Sequence, residues 1–118
     1  VETLAPEAER DTWIVGLEPS AILTLCDEAP DLVPAALRAR ALKVASRCIL
    51  FDDFIAREAD AGRLADLPFG RLPEGEVLFH GHCHQKAIAG TAGTRRALAL
   101  IPELKITELG TACCGMAG

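Results

Sequence analysis

The segment His80-Gly81-His82-Cys83-His84 concentrates three imidazoles and one thiol within five residues. Both groups are soft or borderline metal donors. The segment follows a predicted strand and precedes a predicted helix, and the N-terminal dipole of a helix favours the thiolate of a cysteine that opens it. His80 and Cys83 could therefore flank one metal site, with His84 held by a backbone carbonyl or a carboxylate. Ordinary hydrogen bonding at the junction is the alternative interpretation.

A pair of adjacent cysteines, Cys113 and Cys114, precedes Gly115. Because neighbouring side chains diverge, two adjacent thiolates do not easily chelate one tetrahedral ion. They can bind different irons of a cluster when a glycine lets the chain turn tightly. A vicinal disulfide and two buried, small apolar side chains are the alternatives.

The chain contains five cysteines in all. This odd number, with three of them in the two motifs, fits reduced thiols with a metal or redox role better than a disulfide framework. Cys48 follows a helical pattern and is predicted to be a core thiol. Cys26 ends a predicted helix and belongs either to the core or to the edge of the site. Among the carboxylates, Glu18 and Asp52 have no acid–base partner, so solvated or helix-capping roles are expected.

Alternating apolar patterns predict three strands, at about 12–17, 76–80 and 104–109. Helical spacing predicts helices at 20–28, 34–47, 83–90 and 92–101, and a further helix that begins near Phe51 and ends before Gly62. Residues 63–75 are predicted to form a loop. The sequence therefore indicates an α/β fold, in which a short, mostly parallel sheet is flanked by helices in a three-layer-like arrangement.

The motifs follow the predicted strands: EPSA the first, HGHCHQ the second and TACCG the third. Functional groups of parallel sheets gather beyond the carboxyl ends of the strands. The three segments are therefore expected to meet at one edge of the sheet.

The chain has 118 residues and a formal net charge of −5. This length suits a single domain over residues 1–118, and the acidic balance excludes the basic footprint of a nucleic-acid-binding surface. No apolar run is long enough to span a bilayer and no secretory leader precedes the first strand, so a cytoplasmic location is expected. The chain begins at Val1 without a Met and ends at Gly118, directly after the Cys-rich motif, which predicts a piece of a larger polypeptide.

Three segments in this order, VGLEPSAILTLCDEAPDL, FHGHCHQKA and ELGTACCGMAG, resemble the Cys-rich CCG domain of bacterial FAD-linked oxidases and of the glycolate oxidase iron–sulfur subunit. The pattern is more distantly similar to a heterodisulfide reductase subunit. The resemblance runs from Trp13 to Gly118, and the combination of HCHQK with CCGMAG is its most specific part.

The resemblance implies an electron-transfer module that is not catalytic alone, with a cysteine-ligated iron–sulfur cluster, expected to be 4Fe–4S, that accepts electrons from a reduced flavin. FAD would lie in another domain or subunit, and the whole protein would oxidise a 2-hydroxy acid such as lactate or glycolate. The expected partners are this flavin-binding part and an electron acceptor at a membrane surface. The positions that match the motifs are Cys83, Cys113 and Cys114 as metal ligands, and His80, His84 and Gly115 as further cofactor contacts.

The chain departs from the family at Ala21, where the family usually has a cysteine after Glu-Pro-Ser. Cys26 lies five residues later, and on a helix this offset turns its side chain by about 140° from that of Ala21. One ligand is therefore missing. A zinc or structural module that uses His80, Cys83 and the cysteine pair is a second hypothesis, and a metal-free thiol-redox or interaction module is a third.

Overall fold

The computed structural model describes residues 1–110. Seven α-helices and four strands follow one another in this part of the chain. In chain order they are α1 (Ala5–Glu9), β1 (Ile14–Gly16), α2 (Pro19–Cys26), α3 (Ala29–Leu32), α4 (Arg38–Ala45), β2 (Cys48–Leu50), α5 (Phe51–Asp60), β3 (Glu76–Phe79), α6 (Cys83–Ile88), α7 (Ala92–Leu98) and β4 (Lys105–Glu108), with a 3₁₀ turn at Ala35–Leu37 before α4.

The chain divides into two compact units, Val1–Phe51 and Asp52–Gly118. Each unit contains one parallel two-stranded sheet in the described residues. In the first unit β1 pairs with β2, with Ile14 opposite Cys48. In the second, β3 pairs with β4, with Phe79 opposite Glu108. Both pairs are parallel, so a helical crossover joins the two strands of each sheet.

The first unit has an apolar core that β1, β2 and the surrounding helices share. Its buried members are Ala5, Ala8, Ile22, Leu23, Val44, Cys48 and Leu50. Helix α2 starts at Glu18, whose carboxylate accepts the backbone N–H groups of Ser20 and Ala21 at 3.0 and 2.6 Å. Pro19 suits the first helical position because a backbone N–H at this position has no acceptor within the helix, so its absence in proline costs no hydrogen bond. The cap sets α2 so that Ile22 and Leu23 face the core.

Gly16 ends β1 where the sheet meets α2. A Cβ atom added at this position would lie 2.2 Å from the Cβ of Ile22. Only a residue without a side chain lets α2 approach the strand this closely.

The buried described residues of the second unit are Ala56, Gly81 and Gln85. Its parallel strands are held at their ends by the backbone hydrogen bond from Leu109 N to the Phe79 carbonyl, at 2.7 Å. Because the buried Gln85 side chain is polar, the helices of this unit are held together by hydrogen bonds as well as by apolar contacts.

The predicted α/β class with short parallel strands is confirmed, as are the loop at 63–75 and the division into two helices after Ile88, near Gly90, which has a positive φ of 75°. The strands are shorter than predicted, and they lie in two sheets where one was expected, so β1 is not in the same sheet as β3 and β4. The division into two sheets arises from β2, a three-residue strand between two helices. The sequence pattern does not indicate this strand. The predicted single CCG-type domain over residues 1–118 stays a prediction.

Within residues 1–110, no helix combines the length and the apolar character that crossing a membrane requires.

Candidate functional site

Cys83 lies at the junction of β3 and α6, as predicted. Strand β3 ends at Phe79, and Cys83 is the first residue of α6 three residues after His80. Its thiol is free and exposed. An exposed thiol at a strand end is accessible to a metal, to a cofactor or to an oxidant, whereas a buried structural thiol is not.

The three histidines beside Cys83 have different surroundings. His82 is the residue that caps α6, and its Nδ1 accepts the backbone N–H of His84 at 3.3 Å. The side chains of His80, His82 and His84 are half-buried. The imidazole of His82 therefore has a local structural role, while contacts of His80 and His84 with a cofactor stay a prediction.

Gly81 explains how the segment before Cys83 fits against the start of α7. A Cβ at Gly81 would lie 2.6 Å from Cγ2 of Thr91 and 3.2 Å from Cγ of Lys86. A side chain at this position would push the HGHCH segment away from α7. The glycine of the motif is thus required by packing, a role that its position between two histidines does not reveal.

Gln85, two residues after Cys83, is the buried polar residue of the second unit, with 4% of its surface exposed. Its side-chain amide donates to Oδ2 of Asp52 at 3.1 Å and to Oγ1 of Thr94 at 2.9 Å. The Thr94 hydroxyl in turn donates to the same Asp52 oxygen. These three side chains, called here the Gln85 network, join α5, α6 and α7 and fix the helix that Cys83 opens.

The carboxylates of α5 lie close to one another in this region. Partial burial raises the pKa of Asp53, and the negative charge of the neighbouring Asp52 raises it further. A Cβ at Gly93 would lie 1.7 Å from Oδ1 of Asp53, so α7 packs tightly on these two residues. The expectation that Asp52 would be solvated or would only cap a helix is therefore incomplete, because it accepts bonds from two other helices.

The last residue of β4, Glu108, also forms a hydrogen bond and an ion pair with residues at the start of α7 and within it. Thr91 donates through Oγ1 to Oε1 of Glu108 at 2.8 Å, and Arg95 forms an ion pair with Glu108 at 3.4 Å. Because β3 and β4 are parallel and in register, His80 and Leu109 leave the sheet at the same edge. Cys113, Cys114 and Gly115 lie outside the described residues.

The Glu-Pro-Ser segment begins α2 in the first unit. Glu18 has the helix-capping role that was expected, and Ala21 lies in the first turn with its side chain exposed. Cys26 is the last residue of α2, where it packs on the apolar core. Cys26 therefore does not occupy the position of Ala21, where the resemblance leads us to expect a cysteine.

Cys26 and Cys48, which no sequence motif connects, are both free thiols at the core of the first unit. Cys48 is buried, as predicted, and Cys26 is half-buried. The hydrogen bond from the Cys48 thiol lowers the pKa of Cys26, against smaller opposing effects of burial and of Asp27. The same bond, together with burial, raises the pKa of Cys48.

In the part of the chain that the structure describes, no three His, Cys, Asp or Glu side chains are grouped so as to hold a metal ion. Cys83 is thus a single exposed thiol among described neighbours.

No protein-family model and no solved structure match the chain. A segment of 62 residues is 39% identical to one of the subunits of the anaerobic glycerol-3-phosphate dehydrogenase of Escherichia coli K12, and equally to the same protein from Escherichia coli O157:H7. The match covers 52% of this chain but 15% of the length of these relatives. Over about half of its length, the chain is therefore similar to part of a dehydrogenase, which fits a distant relationship to oxidoreductase subunits.

Proposed function

We propose that this chain is an electron-transfer module of a flavin-linked dehydrogenase or oxidase, and that it contributes Cys83, Cys113 and Cys114 to an iron–sulfur cluster. When bound, such a cluster accepts and passes on single electrons. The contribution of the chain is to hold the thiolates and to shape their surroundings.

The observation that carries the proposal is the parallel pairing of β3 with β4. The HGHCH segment and the segment that begins at Gly110 leave this sheet at the same edge. Cys113 is five residues after Glu108, the last residue of β4, and an extended chain spans at most about 3.6 Å per residue, so the chain can place Cys113 no farther than roughly 18 Å from the strand end. This bound is compatible with a site that Cys83 shares with the cysteine pair.

The surroundings of Cys83 suit a ligand that must stay in one position. The cap from His82, the close packing at Gly81 and the Gln85 network all fix the first turn of α6. A thiolate on a fixed backbone keeps its bond to iron without an added entropy cost, which is how a supporting shell tunes a metal centre. These contacts leave the sulfur of Cys83 itself exposed and free.

The donor set of the chain is incomplete for a four-cysteine cluster. Cys83, Cys113 and Cys114 supply at most three thiolates, and Ala21 supplies none. The remaining ligands would come from outside this chain. The module therefore needs a further cysteine-containing segment, and a 4Fe–4S cluster is the type that we expect once that segment is present.

The similarity to part of a dehydrogenase supports a place in a multi-subunit or multidomain dehydrogenase, with FAD in another domain or subunit. The substrate of the whole protein would be a small hydroxylated compound, either a 2-hydroxy acid such as lactate or glycolate or a polyol phosphate. The flavin-binding part is the proposed partner on one side and an electron acceptor at a membrane surface on the other. A cytoplasmic location is part of the same proposal.

The decisive experiment is the anaerobic purification of the protein that contains this chain, followed by assays of iron and acid-labile sulfide. We expect both elements, and a visible absorption band that dithionite bleaches. Replacing Cys83 by Ser should lower the iron and sulfide content, whereas Cys26→Ser, a matched control in the first unit, should leave both unchanged. Preparations without iron and sulfide would refute the proposal, and zinc bound by sulfur and nitrogen would favour a zinc module.

A further inference from the structure

We propose that Thr91 is a positioning residue of the candidate site and that it sets the spacing between the HGHCH segment and the end of β4. These two segments of the chain lead to Cys83 and to the pair Cys113–Cys114. The role of Thr91 rests on the proposed iron–sulfur function, because this spacing matters for a cluster only if the three cysteines share one site.

The side chain of Thr91 contacts both segments at once. Its hydroxyl donates to Oε1 of Glu108, the last residue of β4, at 2.8 Å. Its methyl carbon, Cγ2, would lie 2.6 Å from a Cβ atom placed at Gly81, so the methyl group fills the space beside the backbone of the HGHCH segment. The apolar part of one side chain therefore packs on the chain that follows β3, while its polar part holds the end of β4.

The hydroxyl of Thr91 is not used for the helix that Thr91 precedes. A threonine in this position usually accepts a backbone N–H from the first turn of its own helix. At α7 this side-chain bond is absent, and the backbone of Thr91 has φ −112° and ψ 6°, which is not the extended conformation of a capping residue. The bond to Glu108 therefore takes the place of a helix cap.

A second link between α7 and Glu108 is weaker. Arg95, one turn after Thr91, forms an ion pair with Glu108 at 3.4 Å, and the Arg95 side chain is 60% exposed. Exposed ion pairs contribute little to stability, whereas a partly buried hydrogen bond to a carboxylate contributes more. The hydroxyl of Thr91 is thus the side-chain group on α7 that we expect to fix the end of β4.

Four variants separate this bond from other effects. Thr91→Val removes the hydroxyl and keeps a methyl group beside Gly81, whereas Thr91→Ser keeps the hydroxyl. Glu108→Ala removes the acceptor and leaves Thr91 in place, so it tests the same bond if Thr91→Val fails to fold. Thr12→Val makes the same chemical change at an exposed position of the first unit and is the matched control.

The spacing is measured by cross-linking the thiols of the full chain, purified with a metal chelator, with a short and with a long bismaleimide. After digestion with trypsin, Cys83 lies in peptide 72–86 and the cysteine pair in peptide 106–118. The yield of the product that joins these two peptides is compared for the two reagents. The short-to-long ratio reports how far apart the thiols lie, and a general loss of stability without a change in spacing does not mimic rescue by Thr91→Ser.

We expect the ratio to fall by about threefold or more in Thr91→Val and in Glu108→Ala, because a lost hydrogen bond to a charged acceptor shifts a local equilibrium by at least this factor. In Thr91→Ser and Thr12→Val the ratio should stay within about twofold of that in the unchanged chain. Equal ratios in Thr91→Val, Glu108→Ala and the unchanged chain would overturn the positioning role.

Iron and acid-labile sulfide, assayed in the anaerobically purified protein that contains this chain, separate this role from the proposed function. Both elements should decrease in Thr91→Val and return in Thr91→Ser. If the unchanged protein contains iron and sulfide but the cross-linking ratios are equal, the positioning role is wrong and the iron–sulfur function stands. If the unchanged protein contains neither element, the iron–sulfur function is wrong, and the cross-linking ratios still decide whether Thr91 sets the spacing.

Discussion

The Gln85 network gives the sharpest test of how the second unit is held together. Replacing Gln85 by Leu keeps a side chain of similar volume at a position that is 4% exposed, and removes the amide that donates to Asp52 and Thr94. The bond to a charged carboxylate contributes about 1.5–3 kcal/mol and the bond to a hydroxyl about 0.5–1.5 kcal/mol. In the variant, the half-buried Asp52 regains part of this free energy through hydrogen bonds to water. The new Leu side chain also buries apolar surface. We therefore expect a loss of about 2 kcal/mol.

The assay has to report on the second unit alone, because the single tryptophan, Trp13, lies in the first unit. Native-state amide hydrogen exchange of α6 and α7 measures the local opening equilibrium, and 2 kcal/mol corresponds to roughly 30-fold faster exchange. Ala87→Gln, at an exposed position on the same helix, is the control and should change the opening free energy by less than about 0.5 kcal/mol.

Two further variants show whether the effect arises from the bond to Asp52. In an Asp52→Ala background, Gln85→Leu should cost about 1 kcal/mol less than in the unchanged protein, because the two residues are coupled. Gln85→Glu puts a second carboxylate beside Asp52, and the repulsion between the two charges raises the pKa of the introduced carboxyl group. Its stability should be recovered in acid and lost as the pH rises through that raised pKa. If exchange in Gln85→Leu matches that of the unchanged protein, or if the cost is the same without Asp52, the network does not hold α6.

Two other substitutions test the first unit, with urea unfolding followed by Trp13 fluorescence. Gly16→Ala should destabilise the first unit by about 1–3 kcal/mol, because the new Cβ would lie 2.2 Å from the Cβ of Ile22. Gly70→Ala, where a Cβ would meet no other atom, should have no such cost. Equal stability of the two variants would contradict the close packing at Gly16. The hydrogen bond from Lys43 is the largest of the effects that lower the pKa of Asp11. The charged carboxylate therefore stabilises the fold at pH values above its ordinary pKa of 3.8. This contribution to stability is lost as the pH falls through the lowered pKa. Asp11→Asn should therefore be less stable than the unchanged chain near pH 7 and equally stable at low pH, and a difference that persists in acid would assign the effect to another cause.

Much of the local structure follows from short-range pattern. The apolar runs of β1, β3 and β4, the amphipathic spacing of α5 and the turn at Gly62 are all present in the sequence, because side-chain periodicity and glycine conformation act within a few residues. The junction at Cys83 is predicted on the same basis. The helix 34–47 is predicted in outline, but its first turn is a 3₁₀ turn and the α-helix begins at Arg38.

Strand β2 shows where local pattern is insufficient. Its residues Cys48–Leu50 lie directly between α4 and α5, and three residues between two helices carry too little periodicity to indicate a strand. They form one because β1 offers a parallel partner from a distant part of the chain. That pairing decides that the strands divide into two sheets.

The sequence by itself determined the α/β class, the position of a thiol at the start of α6 and the absence of a cysteine at Ala21, since each depends on residue type or on near neighbours. Only the tertiary structure decided that Gln85 joins three helices through its bonds to Asp52 and Thr94, and that the segment before Cys83 needs a glycine against Thr91. These contacts link residues 9 to 33 positions apart. No local sequence motif indicates contacts between residues so far apart in the chain, because these contacts depend on how the strands pair and on how the helices then pack.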